Sequence, residues 1–555
     1  MRTLFCLFLV ICLAVETPCF ADDDAERAQI RQWIQQLGDN SFLVRQRAET
    51  LLIRAGIQAC VELQRAQQSH DVEIVRRTEY ILSQIEQAFR DMEHQDSAVW
   101  IVNFQSAPDL ASKAKFIWRL ADPVSIPRIE RNFEKGEGLQ TLCRLARFEK
   151  NNTLRRETVK SLIASPPISP PLRQKWYRHI RDIFHEVGDD ELLQCLVNYA
   201  KLWCDMDDAD TKTTPAFQER VRQVGAETMR LLEKLEGGIP SGSRMDILLY
   251  YAVAELQDAA GLSEDRDKTV ASALAVQQKQ MPEPTLIELL DIDAELPMFE
   301  HWYVGYLLRQ RFRLHWAMAR CQKVIENGHF LLCFQASNEA AQIAIFLADY
   351  ASAAAYWDKY MEIIDSPEYK KLRGNSAEQM IMAQKQKAYC LAMKAAAEEN
   401  WTQVRETIMQ AWAIPDAEID ISDMDMVILA HRFCKQQSEE DREFRDKTDQ
   451  ALKQMWQTVV DYHEMENNVP STCNSAAWLL ANTDGDYQTA LTFAETAVKA
   501  EPDNESYLDT LAHVYFLGGK IDEAIHTQEK VIRMAPEAVV FRQAFERFKR
   551  AKESP

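Results

Sequence analysis

The stretch ESYLDTLAHVYFLGGKIDEAIHTQEKVIRMAPE, residues 505–537, decides the fold. It repeats the segment before it at a fixed spacing, which relates Ala490 to Ala524 and Pro502 to Pro536. Small side chains let two antiparallel helices approach closely, and a proline after the second helix ends it. The repetition therefore predicts two successive helical hairpins.

A family resemblance follows from these positions. Gly518-Gly519 separates the two helices of the last hairpin. Residues 471–536 resemble two tetratricopeptide (TPR) repeats, and weaker copies occur at 301–324, 340–360 and 388–412. The packing positions of the last repeat are held by Leu508, Leu511, Ala512, Tyr515, Ala524, Val531 and Pro536. The resemblance implies an all-α protein, an α-solenoid of stacked hairpins whose first helices line a concave groove.

The N-terminal region shows a looser helical pattern. Apolar residues at helical spacing end at Gly38, and a second amphipathic helix is predicted from Val44 to Arg54. The pattern resembles HEAT-like repeats. We predict a HEAT-like module over 22–165, a proline-rich linker at 166–173 and a TPR-like superhelix over 174–546.

Composition favours a helical protein and argues against a nucleic-acid partner. Apolar residues make up 46% and charged residues 27% of the chain, and glycine and proline are sparse at 16 and 19. The formal net charge is -21. Nucleic-acid binding depends on clustered positive charge, so this balance favours a protein or peptide partner.

The first 21 residues are typical of a cleaved secretory signal. Arg2 precedes an apolar run from Leu4 to Val15, and Cys19-Phe20-Ala21 fits a signal-peptidase site. The run is too short for a membrane span, and Pro18 is a poor match to a lipoprotein signal. We therefore expect an exported protein, periplasmic or extracellular, with no transmembrane segment once the signal is removed.

No motif predicts catalysis, a metal site or a cofactor. His179 and His185 are six residues apart, whereas two ligands on one helix face need a spacing of four. The segment ANTDGDY, 481–487, lacks the spacing of a calcium loop and suits a hairpin turn. The nine cysteines after the signal have no disulfide or zinc pattern, so most are expected to be small buried side chains.

The register of the hairpins predicts a partner-binding groove. Aromatic and arginine side chains on first helices are suited to binding hot spots, although they could instead pack within the hairpins. The candidate residues are Phe299, Trp302, Tyr306, Arg309, Gln310, Asn338, Gln342, Asp509 and His513. The resulting hypothesis is a non-enzymatic protein-interaction scaffold of the cell envelope. The alternatives are a structural spacer and an accessory subunit of an exported enzyme complex.

Overall fold

In a computed structural model of the chain, every described element of regular secondary structure is a helix. The predicted signal (1–21) and nearly all of the predicted linker (166–173) lie outside the described residues. The structure describes residues 23–39, 42–55, 57–92, 152–163, 173–174, 176–178, 180–181, 191–206, 214–234, 244–275, 296–373, 377–415, 419, 421–436, 441–465, 469–502 and 504–553.

The described residues divide into two contact units, the first of which contains those up to 162 and those between 177 and 198. Four of its helices pack around a core that includes Ile34, Leu52, Leu63 and Ile81. The helix predicted from Val44 is present as α2. The helices are α1 (Asp23–Gln36), α2 (Phe42–Ala55), α3 (Ile57–Ala66), α4 (Val72–Met92), α5 (Asn152–Ile163) and the first part of α6 (Glu191–Asp205).

The second unit contains the residues from 199 onward and is a stack of antiparallel hairpins. This confirms the predicted all-α solenoid. After α7 (Pro215–Lys234), the hairpins are α8/α9 (Arg244–Ala259, Ser263–Ala275), α10/α11 (Leu296–Gln310, Leu314–Asn327), α12/α13 (Phe330–Phe346, Tyr350–Asp365), α15/α16 (Ala377–Ala397, Trp401–Trp412), α17/α18 (Met424–Gln436, Arg442–Met465), α19/α20 (Pro470–Asn482, Tyr487–Ala500) and α21/α22 (Glu505–Leu517, Ile521–Met534). The short α14 (Pro367–Arg373) is an insertion, and α23 (Val539–Glu553) ends the stack.

Six of the hairpins, those whose turns the structure describes, share one turn geometry. One residue in the turn is left-handed, and the next N–H donates to the carbonyl five residues back at 2.8–2.9 Å. This bonding is that of a Schellman motif, which satisfies free carbonyls at a helix end. The left-handed residues are Gly261, Phe312, Ala348, Glu399, Asp484 and Gly519. The predicted break at Gly518-Gly519 is one of these turns.

The last helix of the second unit contacts a hairpin from much earlier in the chain. Phe541 of α23 lies 5.6 Å from Phe312 and 6.0 Å from Phe346, measured between ring centroids. Glu537 accepts a hydrogen bond of 2.9 Å from the backbone N–H of His315. We call Phe312, Phe346 and Phe541 the closing seam, because they join the end of the stack to its α10–α12 region.

Two further expectations concern cysteines and membrane spans. Of the seven cysteines whose side chains the structure describes, six are buried, Cys434 is half-buried, and all are free thiols. Burial raises the pKa of the Cys390 thiol to about 12, so this thiol is protonated at neutral pH. Within the described residues, no helix has the length and apolar character that crossing a membrane requires.

Candidate functional site

Three of the predicted groove residues, all on α10, contact one another in turn. The rings of Trp302 and Tyr306 lie 6.4 Å apart, and the Arg309 guanidinium lies 5.4 Å from the Tyr306 ring. Arg309 Nε also donates to Glu339 Oε2 at 2.5 Å. Arg309 is therefore fixed by an ion pair with a buried glutamate, and its charge is already neutralised within the chain.

The other predicted residues of this region differ in exposure. Gln310 is exposed, whereas Asn338 and Gln342 are half-buried on α12. Phe299 belongs to α10, but its side chain is outside the described part of the structure. The structure thus brings Trp302, Tyr306 and Arg309 together and leaves Gln310 to solvent.

Asp509, on α21, is buried between helices rather than exposed. Its Oδ1 accepts a hydrogen bond of 2.6 Å from Gln528 Nε2, which also donates to the carbonyl of Phe541 at 3.1 Å. Burial raises the pKa of the Asp509 carboxyl to about 7, against a smaller lowering by Gln528 and Arg547. Asp509 joins α21, α22 and α23, which makes it a packing residue in this state.

His513 lies one turn further along α21 and has contacts on both sides. Its Nδ1 is 3.0 Å from Asn482 Oδ1 of α19 and 3.2 Å from Arg547 Nη2 of α23. The imidazole packs against Trp478 and Phe548, with ring centroids 4.7 and 5.3 Å away. Burial and the charges of Arg547 and Arg432 hold its pKa well below the usual range, so the ring is neutral at pH 7.

These contacts belong to a longer line of side chains. Arg432 of α17 donates to the same Asn482 oxygen, and Trp478 Nε1 donates to Asp425 Oδ1 at 2.8 Å. We call the whole set the polar row. It consists of Asp425 and Arg432 on α17, Trp478 and Asn482 on α19, His513 on α21 and Arg547 on α23. The row connects the first helices of three successive hairpins with the terminal helix.

Four of the six side chains of the polar row are partly accessible to solvent, whereas Asn482 and His513 are buried. Arg432, Trp478 and Arg547 are half-buried and Asp425 is exposed. Even so, the surrounding helices displace enough water to raise the pKa of the Asp425 carboxyl. This combination is typical of a residue on a concave surface, which water reaches from one side only.

The two arginines of the row have no acidic partner in contact. Within the described residues, neither Arg432 nor Arg547 forms an ion pair. Burial and the charge of Arg432 lower the pKa of the Arg547 guanidinium to about 10. Arg547 lies over the rings of Phe516 and Phe548, each 5.2 Å away, and its Nε is buried without a hydrogen-bond partner. The row therefore carries positive charge that the chain does not neutralise directly.

Sequence reasoning identified His513 in this row and missed the other members. The predicted solenoid ended at residue 546, one residue before Arg547, although α23 continues to Glu553. A usable signal was present, because Arg547 follows His513 at the same spacing that relates Ala490 to Ala524. Extending the register by one more helix would have placed Arg547 beside His513.

The two motifs judged unsuited to metal binding have different outcomes. His179 and His185 lie outside the described residues. The segment 481–487 forms the α19/α20 turn, as predicted, where Asp484 pairs with Lys435 and Asp486 caps α20 through the Thr489 N–H at 2.7 Å. In the described part of the chain, no group of three His, Cys, Asp or Glu side chains could hold a metal ion.

The chain is similar to known proteins only at low sequence identity. No family model matches the chain. No curated protein matches it either. A search of solved structures found the TPR domain of P58(IPK), with a TM-score of 0.17 and 14% identity over 66% of this chain and 99% of that chain. It also found human IFIT1, as a dimer with PPP-AAAA. Its TM-score is 0.23, and its identity is 13% over 91% of this chain and 100% of that chain. Because both TM-scores are far below 0.5, neither superposition carries an argument, and the fold rests on the helix contacts described above.

Proposed function

We propose that this chain is a non-enzymatic scaffold that binds a segment of a partner protein along the first helices of its solenoid. The observation that carries the proposal is the polar row. It lines up half-buried arginine and tryptophan side chains and the buried Asn482 from successive first helices and the terminal helix, and neither arginine forms an ion pair within the described residues. Tryptophan and arginine are the residue types most enriched in binding hot spots.

A scaffold accounts for the row better than catalysis does. His513 is buried and neutral, and Asp509 is bonded to Gln528, so neither is positioned to exchange protons with a bound molecule. A peptide-binding surface needs only accessible side chains at a fixed spacing, which rigid stacked helices supply. The Trp302–Tyr306 pair on α10 is a second, more apolar surface of the same kind.

Site-specific photo-crosslinking tests this proposal. A photoreactive residue placed at Asp425, which is exposed within the polar row, is expected to capture one segment of one partner protein in native extracts. The matched control is the same residue at His526, which is exposed on the second helix α22 outside the row. The captured segment, made as a peptide, should then bind the purified chain saturably. Equal capture at both positions, or no saturable binding, would contradict the proposal.

The location of the protein is part of the proposal. We expect cleavage after residue 21 and export to the cell envelope, since the first residues have the features of a signal peptide. Mass spectrometry of the mature N-terminus checks this, with Asp22 as the expected first residue. An intact N-terminus on cytoplasmic protein would contradict it. A structural spacer would be exported as well but would capture no defined segment.

A further inference from the structure

Gln528 of α22 links three helices through one amide group. Its Nε2 donates to Asp509 Oδ1 on α21 at 2.6 Å and to the backbone carbonyl of Phe541 on α23 at 3.1 Å. These two bonds use both hydrogens of the amide nitrogen. The amide oxygen, Oε1, is buried and has no hydrogen-bond partner within the described part of the structure. The link between the three helices therefore lacks one donor.

A proton on Asp509 would supply that donor. A carboxyl group and a primary amide each carry two polar atoms on one carbon. Oδ1 can therefore accept from the amide nitrogen of Gln528 while a protonated Oδ2 donates to the amide oxygen. An ionised carboxylate has no donor and sets its negative charge against the unpaired Oε1. The link is complete when Asp509 is protonated and incomplete when it is ionised.

The surroundings of Asp509 favour the protonated form. Asp509 is 7% exposed, and the loss of water raises the pKa of its carboxyl to about 7. Two charged side chains act on it in opposite directions, since Arg547 on α23 favours the carboxylate and Asp425 on α17 opposes it. His513, one turn along α21, is neutral, and Gln528 is the uncharged partner on α22. The charge of Asp509 therefore changes near neutral pH.

Movement of α23 alone would relieve an ionised Asp509. α23 is the last described helix and packs on α22, so its release leaves the contacts between the preceding hairpins in place. Phe541 is 5% exposed and bonds to Gln528 through its carbonyl, while its ring packs in the closing seam with Phe312 and Phe346. Release of α23 would therefore admit water to the link and open the seam in one step.

We infer that Asp509 and Gln528 form a pH-operated latch, which holds α23 against the stack when the carboxyl is protonated and releases it when the carboxyl ionises. The latch controls the closing seam, and with it the contact between the end of the stack and its α10–α12 region. Because α23 carries Arg547, release also removes one member of the polar row. This last consequence rests on the proposed function, whereas the latch itself does not.

The latch is tightest in acid. The pKa of Asp509 is about 7 with α23 in place and has an ordinary value of 3.8, so between these pH values the closed form holds a proton that the open form has lost. The equilibrium constant for opening should therefore increase with pH. We expect a rise of at least about tenfold between pH 5 and pH 7, which levels off above about pH 8.

Amide hydrogen exchange of the full chain from pH 5 to pH 8 measures this opening without any partner. Each observed rate is divided by the intrinsic rate at the same pH, because intrinsic exchange itself accelerates as pH rises. Protection of the α23 amides should fall at least about tenfold between pH 5 and pH 7. At pH 7 these amides should also be at least about tenfold less protected than those of α12, because α23 opens without the rest of the stack.

Two variants on different helices assign the effect to the latch. Asp509→Asn carries a permanent donor for Oε1 and cannot ionise, so protection of α23 should stay within about twofold from pH 5 to pH 8. Gln528→Met removes the bonds to α21 and α23, so α23 should exchange at least about fivefold faster than in wild type already at pH 5. The matched control is Asp441→Asn, which removes a carboxylate held ionised by Arg405 and should keep the pH dependence of wild type. Helical circular dichroism confirms folding, and Asp509→Asn keeps the test decisive if Gln528→Met does not fold.

Two outcomes overturn the inference. Equal protection of α23 and α12 at every pH would show that the chain opens only as a whole, without a latch. A pH dependence in Asp509→Asn equal to that of wild type would show that another group controls α23. Either result leaves the scaffold function standing, because photo-crosslinking tests that function separately. If the latch is observed and the photoreactive residue at Asp425 captures no segment, the scaffold function alone fails.

Discussion

Among its described residues, the second unit contains two arginine–histidine pairs, Arg320–His301 and Arg547–His513, and only the fully buried first pair has all its hydrogen bonds. Arg320 donates from all three guanidinium nitrogens: to Tyr251 Oη at 2.8 Å, to the Ala273 carbonyl at 2.5 Å, and at 2.6 Å to Nδ1 of His301. Burial and the charge of Arg320 lower the pKa of His301 to about 3, so its Nδ1 is a permanent acceptor at neutral pH. Arg547 has one nitrogen on the Nδ1 of His513 and a buried Nε with no partner.

The difference separates a structural pair from a candidate binding pair. Arg320 is fully buried and joins α8, α9, α10 and α11, so its bonds serve the stack itself. Arg547 is half-exposed, and its histidine has two incompatible neighbours. Because buried polar groups are normally satisfied, the incomplete pair is the one for which we propose an external partner.

The largest loss of folding stability is expected from Arg320→Met. The substitution leaves the acceptors on Tyr251, His301 and Ala273 buried without donors, and each such group costs about 1–3 kcal/mol. We expect the free energy of unfolding to fall by about 4 kcal/mol in urea titrations. Arg442→Met, at an exposed position of α18, serves as the control and should change it by less than about 0.5 kcal/mol. A loss below about 1 kcal/mol for Arg320→Met would remove the contrast between the two pairs.

A slightly smaller effect is expected from Phe541→Ala in the closing seam. Phe541 is 5% exposed and contacts Phe312 and Phe346, so truncation should cost about 3 kcal/mol. Because α23 also carries Arg547, amide hydrogen exchange in α23 should accelerate and peptide binding should weaken. Phe545→Ala, at a half-buried position one turn further along α23, is the control. It should have a smaller effect than Phe541→Ala on amide exchange in α23 and on peptide binding. Unchanged exchange in α23 would show that the seam does not hold this helix.

The packing of the helices could be predicted from the sequence, whereas the turns between them could not. The two C-terminal hairpins are readable because small residues recur at a fixed spacing, and the fold class follows from them. The turns could not be predicted, because glycine is the usual signal of a left-handed residue and only Gly261 and Gly519 among the left-handed residues are glycines. Phe312 has an unfavourable left-handed conformation and packs in the closing seam. No local sequence pattern predicts this packing.

The candidate site was less predictable than the fold. His513 was selected for lying on a first helix, but its neighbours come from two other helices and include Asn482 and Trp478 on α19 and Arg547 on α23. No local motif marks Asn482 or Arg547, and the one signal for Arg547 is its repeat spacing from His513. Only the stacking of hairpins, which brings residues 31 and 34 positions away against His513, gives them a shared role.

A moderate, pH-dependent effect is expected from Asp509→Asn. The folded pKa of about 7 lies above the ordinary value of 3.8, so between these pH values the folded state keeps a proton that the unfolded state has lost. Stability therefore falls as pH rises from about 4 to 7. Asparagine cannot ionise and keeps an oxygen for Gln528. We expect the variant to be about 2 kcal/mol more stable than wild type at pH 8 and nearly equal to it at pH 4.

The control for this pH effect is a carboxylate with the opposite shift. Arg405 holds the pKa of Asp441 below its usual range, so Asp441→Asn should give no gain in stability at pH 8. Thermal unfolding of both variants across pH 4–8 makes the measurement. Parallel curves for Asp509→Asn and wild type would mean that Asp509 does not titrate in this range.

The smallest effect on stability is expected from Arg547→Met, and it decides the comparison. Within the described part of the structure, the guanidinium has one polar contact, to His513, and otherwise lies over Phe516 and Phe548. Methionine keeps the contact with these rings and lets His513 Nδ1 donate to Asn482, so the free energy of unfolding should change by less than about 1 kcal/mol. Urea titration beside Arg320→Met makes the comparison direct. A loss of about 4 kcal/mol would make Arg547 a structural residue like Arg320, whereas a near-neutral result, together with weaker peptide binding, means that its charge serves a ligand.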